Sequence, residues 1–244
     1  MIGSKRNTQF PAPRGPYKVS LKNSVPWQEF ATQRIQISIG NANTEGDKFF
    51  ALCEWAAARF ERVSLIVSDT LQRHNLGFEE ALSMPGAWAL ARSSGDAWLL
   101  RNADALRLLP EARMVRWDNQ LADPRHAPAL SRLQALSKQE SAFAAAMDVT
   151  AEAFWRRNAE RLGSVRRGRF DASSKAFLLE ELAVFTFLCA DAGLDAYAGS
   201  WLEGIFTVLR AEPEAFFDAF RRDWLQVDFT RNKSFSGLAL ARAA

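Results

Sequence analysis

The chain has 244 residues, 48% of them hydrophobic and 24% charged, with 13 glycines, 9 prolines and 2 cysteines. That balance excludes a disordered chain, which is poorer in apolar residues, and a disulfide-stapled module, which needs more cysteine. The formal net charge of +3 is too small to define a nucleic-acid binder by itself, and no apolar run approaches the roughly 20 residues that span a bilayer.

Residues 1–30 read as a basic amino-terminal arm, set apart from one α/β domain over 31–244. Lys5, Arg6, Arg14, Lys18 and Lys22 occur there before the first acidic residue, Glu29. Pro11, Pro13, Pro16 and Pro26 predict a partly extended or mobile path, and the apolar centre of a secretory signal is missing.

The first regular element is a strand over Gln33–Ile39, where Ile35, Ile37 and Ile39 alternate with polar neighbours. Gly40-Asn41-Ala42-Asn43 ends it. Thr44 to Asp47 has the form of a helix start, and Phe49, Leu52, Cys53, Ala56 and Phe60 follow at helical spacing. A second apolar run, Val63–Val67, stops at Ser68-Asp69-Thr70. Strand, helix and strand with short connections make a βαβ unit, which predicts a Rossmann-like domain with a mainly parallel sheet flanked by helices.

Further on, Phe78–Ser94 and Trp98–Leu108 read as helices and Met114–Trp117 as a short strand. Pro128–Leu162 is a long helical region broken near Ser137, followed by a cluster of Arg156, Arg157, Arg161, Arg166, Arg167 and Arg169. Ser173 or Ser174 caps a helix running to about Ala190, and Leu194–Ala198 is a strand carrying Tyr197 near its end. Helices over Leu202–Arg210 and Pro213–Trp224 precede a last strand, Gln226–Phe229. Cys53 and Cys189 each stand alone in apolar helical surroundings. They read as buried free thiols of a cytoplasmic protein, and no Cys/His cluster has metal-ligand spacing.

In parallel sheets ligands bind beyond the carboxyl ends of the strands. Ser38, Asp69, Asp118 and Tyr197 lie at or just past such ends. Ser38 is either a nucleophile presented at the mouth of the sheet or a serine that hydrogen-bonds its own turn. The chain has only two histidines, His74 and His126, and no Gly-x-Ser-x-Gly surrounds Ser38. A serine without a strong base must attack a carbonyl that is already activated, such as a thioester or an aminoacyl ester.

Ile37-Ser38-Ile39-Gly40-Asn41 resembles the Ser-x-x-Asn element of the tRNA-dependent cyclodipeptide synthases. The resemblance continues through Phe49–Phe60, through Leu65 to Thr70 at the second strand, through Phe177 to Leu182 and through Leu194–Tyr197. It implies a fold similar to the catalytic domain of tyrosyl- and tryptophanyl-tRNA synthetases. It also implies two aminoacyl-tRNA substrates, no ATP, no cofactor and a diketopiperazine or related product. Ser38 would take the first aminoacyl group, Glu181 would hold its α-ammonium, Tyr197 would assist positioning and proton transfer, and Asn41 would orient groups around the serine.

Three positions depart from the family pattern. Phe177 stands for a tyrosine, Gln36 for a glycine two residues before the serine, and Ala198 follows Tyr197. Phe177 and Glu181 share one helix face, and Glu180, about 100° round, could equally be the solvated one of the pair. A buried carboxylate at 181 needs a cation, either a substrate ammonium or an internal arginine. For tRNA the resemblance points to Arg92, Arg101 and Arg107, a sparsely basic set, beside the arm and the Arg156–Arg169 cluster. A monomer with no metal and no membrane attachment is expected. The alternative is a protein of the same fold that binds aminoacyl-tRNA without turnover.

Overall fold

The computed structural model describes residues 15–109, 111–163, 167–188, 193–199, 202–222 and 224–235. Among the described residues six strands form one sheet: β1 (Tyr17–Leu21), β2 (Thr32–Ser38), β3 (Arg62–Ser68), β4 (Arg113–Arg116), β5 (Leu194–Tyr197) and β6 (Leu225–Arg231). Their order is β1-β6-β5-β2-β3-β4, and every pairing is parallel except β1 with β6. The expected mainly parallel α/β architecture is therefore present. β2 is central, with β3 on one side and β5 on the other. The chain turns one way after β2 and returns on the opposite side at β5, so the crevice at their carboxyl ends is a topological switch point.

The helices are α1 (Gly46–Ala57), α2 (Arg73–Glu79), α3 (Met84–Arg101), α4 (Ala103–Leu106), α5 (Trp117–Leu121), α6 (His126–Gln139), α7 (Ser141–Arg157), α8 (Ala159–Leu162), α9 (Arg167–Leu188) and α10 (Glu203–Ala211). Ile35 and Ile37 of β2 join Leu65 and Val67 of β3 in a core with Phe49, Leu52 and Trp98 from α1 and α3. The opposite face meets α9, where Ile66 packs with Val184, Phe187 and Leu188. A helical layer of α6, α7, α9 and α10 encloses Leu133, Phe143, Leu182 and Phe206. The alternation of β2 thus marks two covered faces, and its polar members Arg34 and Gln36 are buried.

Several expectations shift. Tyr17–Leu21 is a strand paired along its whole length with β6, so that part of the arm is built into the sheet; residues 1–14 lie outside the described residues. A strand whose partner lies some 200 positions away carries no local signal. The helix break expected between Ser94 and Trp98 is absent, since α3 runs through it. Gly95 serves packing instead: a Cβ there would stand 2.7 Å from the side chain of Asp69 and 2.8 Å from Arg116. α9 extends back to Arg167, so Ser173 and Ser174 are interior residues and not caps. The segment before β6 is a 3-10 helix, Ala215–Arg221. Cys53 is buried, and burial pushes its thiol up; Cys189 lies outside the described residues.

Among the described residues no helix is long and apolar enough to cross a membrane. No group of three or more His, Cys, Asp or Glu side chains there could hold a metal ion.

Candidate active site

A cavity of about 930 Å³ opens at the carboxyl ends of β2 and β5, and Gln36, Ser38, Asn41, Phe177, Glu181 and Tyr197 all line it. Its volume lies at the upper end of small-molecule pockets, enough for more than one amino-acid side chain. α9 supplies one wall through Phe177, Leu178, Glu181 and Phe185, whose spacing places them on one helix face. α7 supplies the facing wall through Thr150, Phe154 and Arg157.

Ser38 ends β2 in register with Ser68 of β3. The turn after it is tightly tied. Asn41 N–H and the Thr44 hydroxyl both donate to the Ser38 carbonyl, at 3.1 and 2.9 Å. Gly40 has φ of 87°, a left-handed conformation that a side chain would strain. The Asn41 amide donates to the Ala198 carbonyl at 3.2 Å and its oxygen accepts from Asn43 N–H at 2.9 Å. This one side chain therefore joins the β2 turn to the end of β5.

Tyr197 lies across from Gln36 in the β2–β5 register. Its ring covers Gly199 so closely that a Cβ there would collide with it. Burial first, and the neighbouring Glu181 second, push the Tyr197 hydroxyl up to about 12, against hydrogen bonds with the Ser38 and Asn41 side chains that lower it. Tyr197 thus keeps its proton at neutral pH and can donate a hydrogen bond beside Ser38.

The two glutamates of α9 differ sharply. Glu180, which by helix phase could equally have been the solvated one, is buried. Its carboxylate accepts from Arg73 Nη1 at 2.8 Å, Trp117 Nε1 at 2.8 Å and His74 Nε2 at 3.1 Å, with a further close bond from Arg73 Nη2. Desolvation opposes ionisation, but the His74 and Arg73 hydrogen bonds and charges outweigh it and hold Glu180 down at about 2. Glu181 faces the cavity without such help, and desolvation raises it to about 8. The internal arginine belongs to Glu180, and Glu181 has no ion-pair partner among the described residues.

Neither histidine lines the cavity. His74 is held by Glu180, so Ser38 has no imidazole base. Asp69 is committed to Arg116 and to Trp117 N–H, and Asp118 to Thr70 and Arg92. These two strand-end acids are structural.

The basic residues are dispersed. Arg92 pairs with Asp118 at 2.6 Å, Arg101 with Glu45 at 3.0 Å and Arg107 with Asp104. Arg92 and Arg101 are nine residues apart on α3, roughly half a turn out of phase, so the three do not form one patch. Arg156 and Arg167 share Glu152 at 2.7 and 2.6 Å. Arg157 instead lines the cavity, near enough to Tyr197 for its charge to lower that hydroxyl. Lys22 also lines it. Sequence reading did not place these two at the mouth, because both are brought there by contacts distant in sequence. Arg166 lies outside the described residues.

Comparison of the sequence with protein-family models and with curated proteins gives no match. Comparison of the fold with solved structures gives many. A cyclodipeptide synthase from Fluoribacter dumoffii superposes with a TM-score of 0.80 at 22% identity, over 89% of this chain and 100% of that one. A cyclodipeptide synthase from Candidatus Glomeribacter gigasporarum, bound to Phe-tRNAPhe, gives 0.69 at 16%, over 87% and 93%. A Mycobacterium tuberculosis protein whose structure relates cyclodipeptide synthetases to type I tRNA synthetases gives 0.66 at 13%, over 95% and 100%. The fold of this chain is that of the cyclodipeptide synthases of known structure.

Proposed function

We propose that this protein is an aminoacyl-tRNA-dependent transferase of the cyclodipeptide synthase kind. The observation that carries the reading is the uncompensated Glu181 carboxylate in the same cavity as Ser38, Asn41 and Tyr197. A buried carboxylate without an internal cation suits a substrate that brings its own, and an α-ammonium is that cation.

Ser38 Oγ attacks the ester carbonyl of a first aminoacyl-tRNA. An acyl–oxygen bond to serine forms, the bond to the terminal ribose breaks, and the serine proton ends on the departing ribose hydroxyl. The ester is already activated, so no histidine is required. Glu181 binds the ammonium and fixes the aminoacyl group, while the Tyr197 hydroxyl and the Asn41 amide hold the geometry around Ser38. The amine of a second aminoacyl group then attacks the acyl-serine, forming the peptide bond and freeing Ser38 Oγ. The dipeptide is then an ester of the second tRNA; its free amine closes the ring on that ester, or water hydrolyses it, and the second ribose hydroxyl departs with the proton of the attacking group.

Phe177 supplies a wall without a hydroxyl, so binding of the amino group rests more heavily on Glu181. Arg157 and Lys22 at the cavity mouth are where the terminal phosphates of tRNA would be met, with Arg92, Arg101 and Arg107 as outer contacts. Expression in a bacterial host with mass spectrometry of the medium tests the reading. A dipeptide-derived product is expected from the wild type and none from Ser38→Ala; identical media from the two would defeat it.

A further inference from the structure

Gln36 lies at the floor of the cavity, two residues before Ser38 on the same face of β2, and only 3% of it is exposed. Arg34 grips Asp195 through Nε at 2.9 Å and Nη2 at 2.6 Å. The same Asp195 Oδ1 accepts from Gln36 Nε2 at 3.3 Å. A carboxylate can only accept, so the amide orientation is fixed: nitrogen toward Asp195, oxygen away from it. No donor among the described residues reaches that oxygen, Oε1, although it is buried. A glutamine in the central strand is thus held at one end and leaves a buried, unpaired acceptor at the other, in a side chain that lines the cavity.

The surroundings define what could use it. Phe185, Phe206 and Trp224 line the same cavity, with the Phe185 and Trp224 rings 4.9 Å apart and those of Phe206 and Trp224 6.0 Å apart. This wall favours an apolar body. The Arg34–Asp195 pair is neutral as a unit, so the floor offers no net charge to attract a cationic side chain.

We infer that Gln36 selects the first aminoacyl group, favouring a side chain with an apolar body and an uncharged O–H or N–H that donates to Gln36 Oε1. The inference rests on the proposed transfer to Ser38 and specifies its substrate class. A site built around a buried acceptor discriminates against an isostere lacking the donor, because filling the pocket then leaves the acceptor unpaired.

The test uses two near-isosteric pairs, tyrosine with phenylalanine and threonine with valine. Initial rates of Ser38 acylation are measured by quench and intact mass with tRNA charged with each amino acid. In parallel, calorimetry measures binding of the four amino-acid amides, which carry the ammonium but no ester. The expected result is a preference of about ten- to hundredfold for the donor-bearing member of at least one pair, falling to within about threefold in Gln36→Met. Equal use of both members of both pairs by the wild type overturns the inference, and this arm decides alone should Gln36→Met not fold. A preference unchanged in folded Gln36→Met also overturns it. Discrimination among the amides without any acyl adduct defeats the transfer reading and sustains the role of Gln36; adducts without discrimination do the reverse.

Discussion

The two flanks of α9 set adjacent glutamates against each other. On one flank Glu180 meets Arg73, His74 and Trp117 inside the protein and is held down at about 2. On the other Glu181 looks into a cavity, has no ion-pair partner among the described residues and rises to about 8. One residue type, one helix and one step along the chain produce opposite electrostatics. The protein has satisfied the carboxylate that anchors α9 and left unsatisfied the one beside Ser38.

Removing Glu180 should do the largest damage. Glu180→Ala strands Arg73, itself buried, without its carboxylate, and losing one partner of a buried pair costs about 3–5 kcal/mol. Chemical denaturation should show a loss of that size, whereas a change below about 1 kcal/mol would mean that Glu180 is not the anchor.

Glu181→Gln should act oppositely on stability and function. Below pH 4.5 both forms are neutral at this position and the stability gap between them does not change with pH. As pH rises from 4.5 to about 8 the unfolded chain releases a proton that the folded wild type retains, so the wild type loses stability relative to the variant. Above about 8 the gap stays constant. Thermal melts across this range should show the variant gaining on the wild type, and a pH-independent gap would refute the raised carboxyl. Acylation by charged tRNA should fall about ten- to hundredfold, the cost of losing a hydrogen bond to a charged group.

The smallest effects belong to the arginines. Arg107→Ala removes an exposed pair with Asp104 and should move stability by less than about 1 kcal/mol. Arg157→Ala should reduce the slope of log tRNA affinity against log salt by about 1, and Arg107→Ala by less. The reverse ranking would move the tRNA entrance away from the cavity mouth.

That Ser38 and Tyr197 end strands and Asn41 sits in a turn was legible because these are local features of sequence, but the same rule also picked Asp69 and Asp118, which the fold pairs internally. The environment of Glu180 was not legible. Helix phase separates it from Glu181 but cannot tell which flank meets solvent, since that depends on Arg73, 107 residues away. β1 was hidden for the same reason, its partner being β6. Ser94-Gly95 looked like a helix break because small residues often are one. Here the glycine admits the Asp69–Arg116 pair against α3.

Acyl transfer to Ser38 is tested by intact-mass measurement of the purified protein after brief mixing with a full set of charged tRNAs. A wild-type species heavier by one aminoacyl residue is expected, absent from Ser38→Ala and reduced in Glu181→Gln. Wild-type protein that stays unmodified with every charged tRNA, or an adduct that persists in Ser38→Ala, would contradict it.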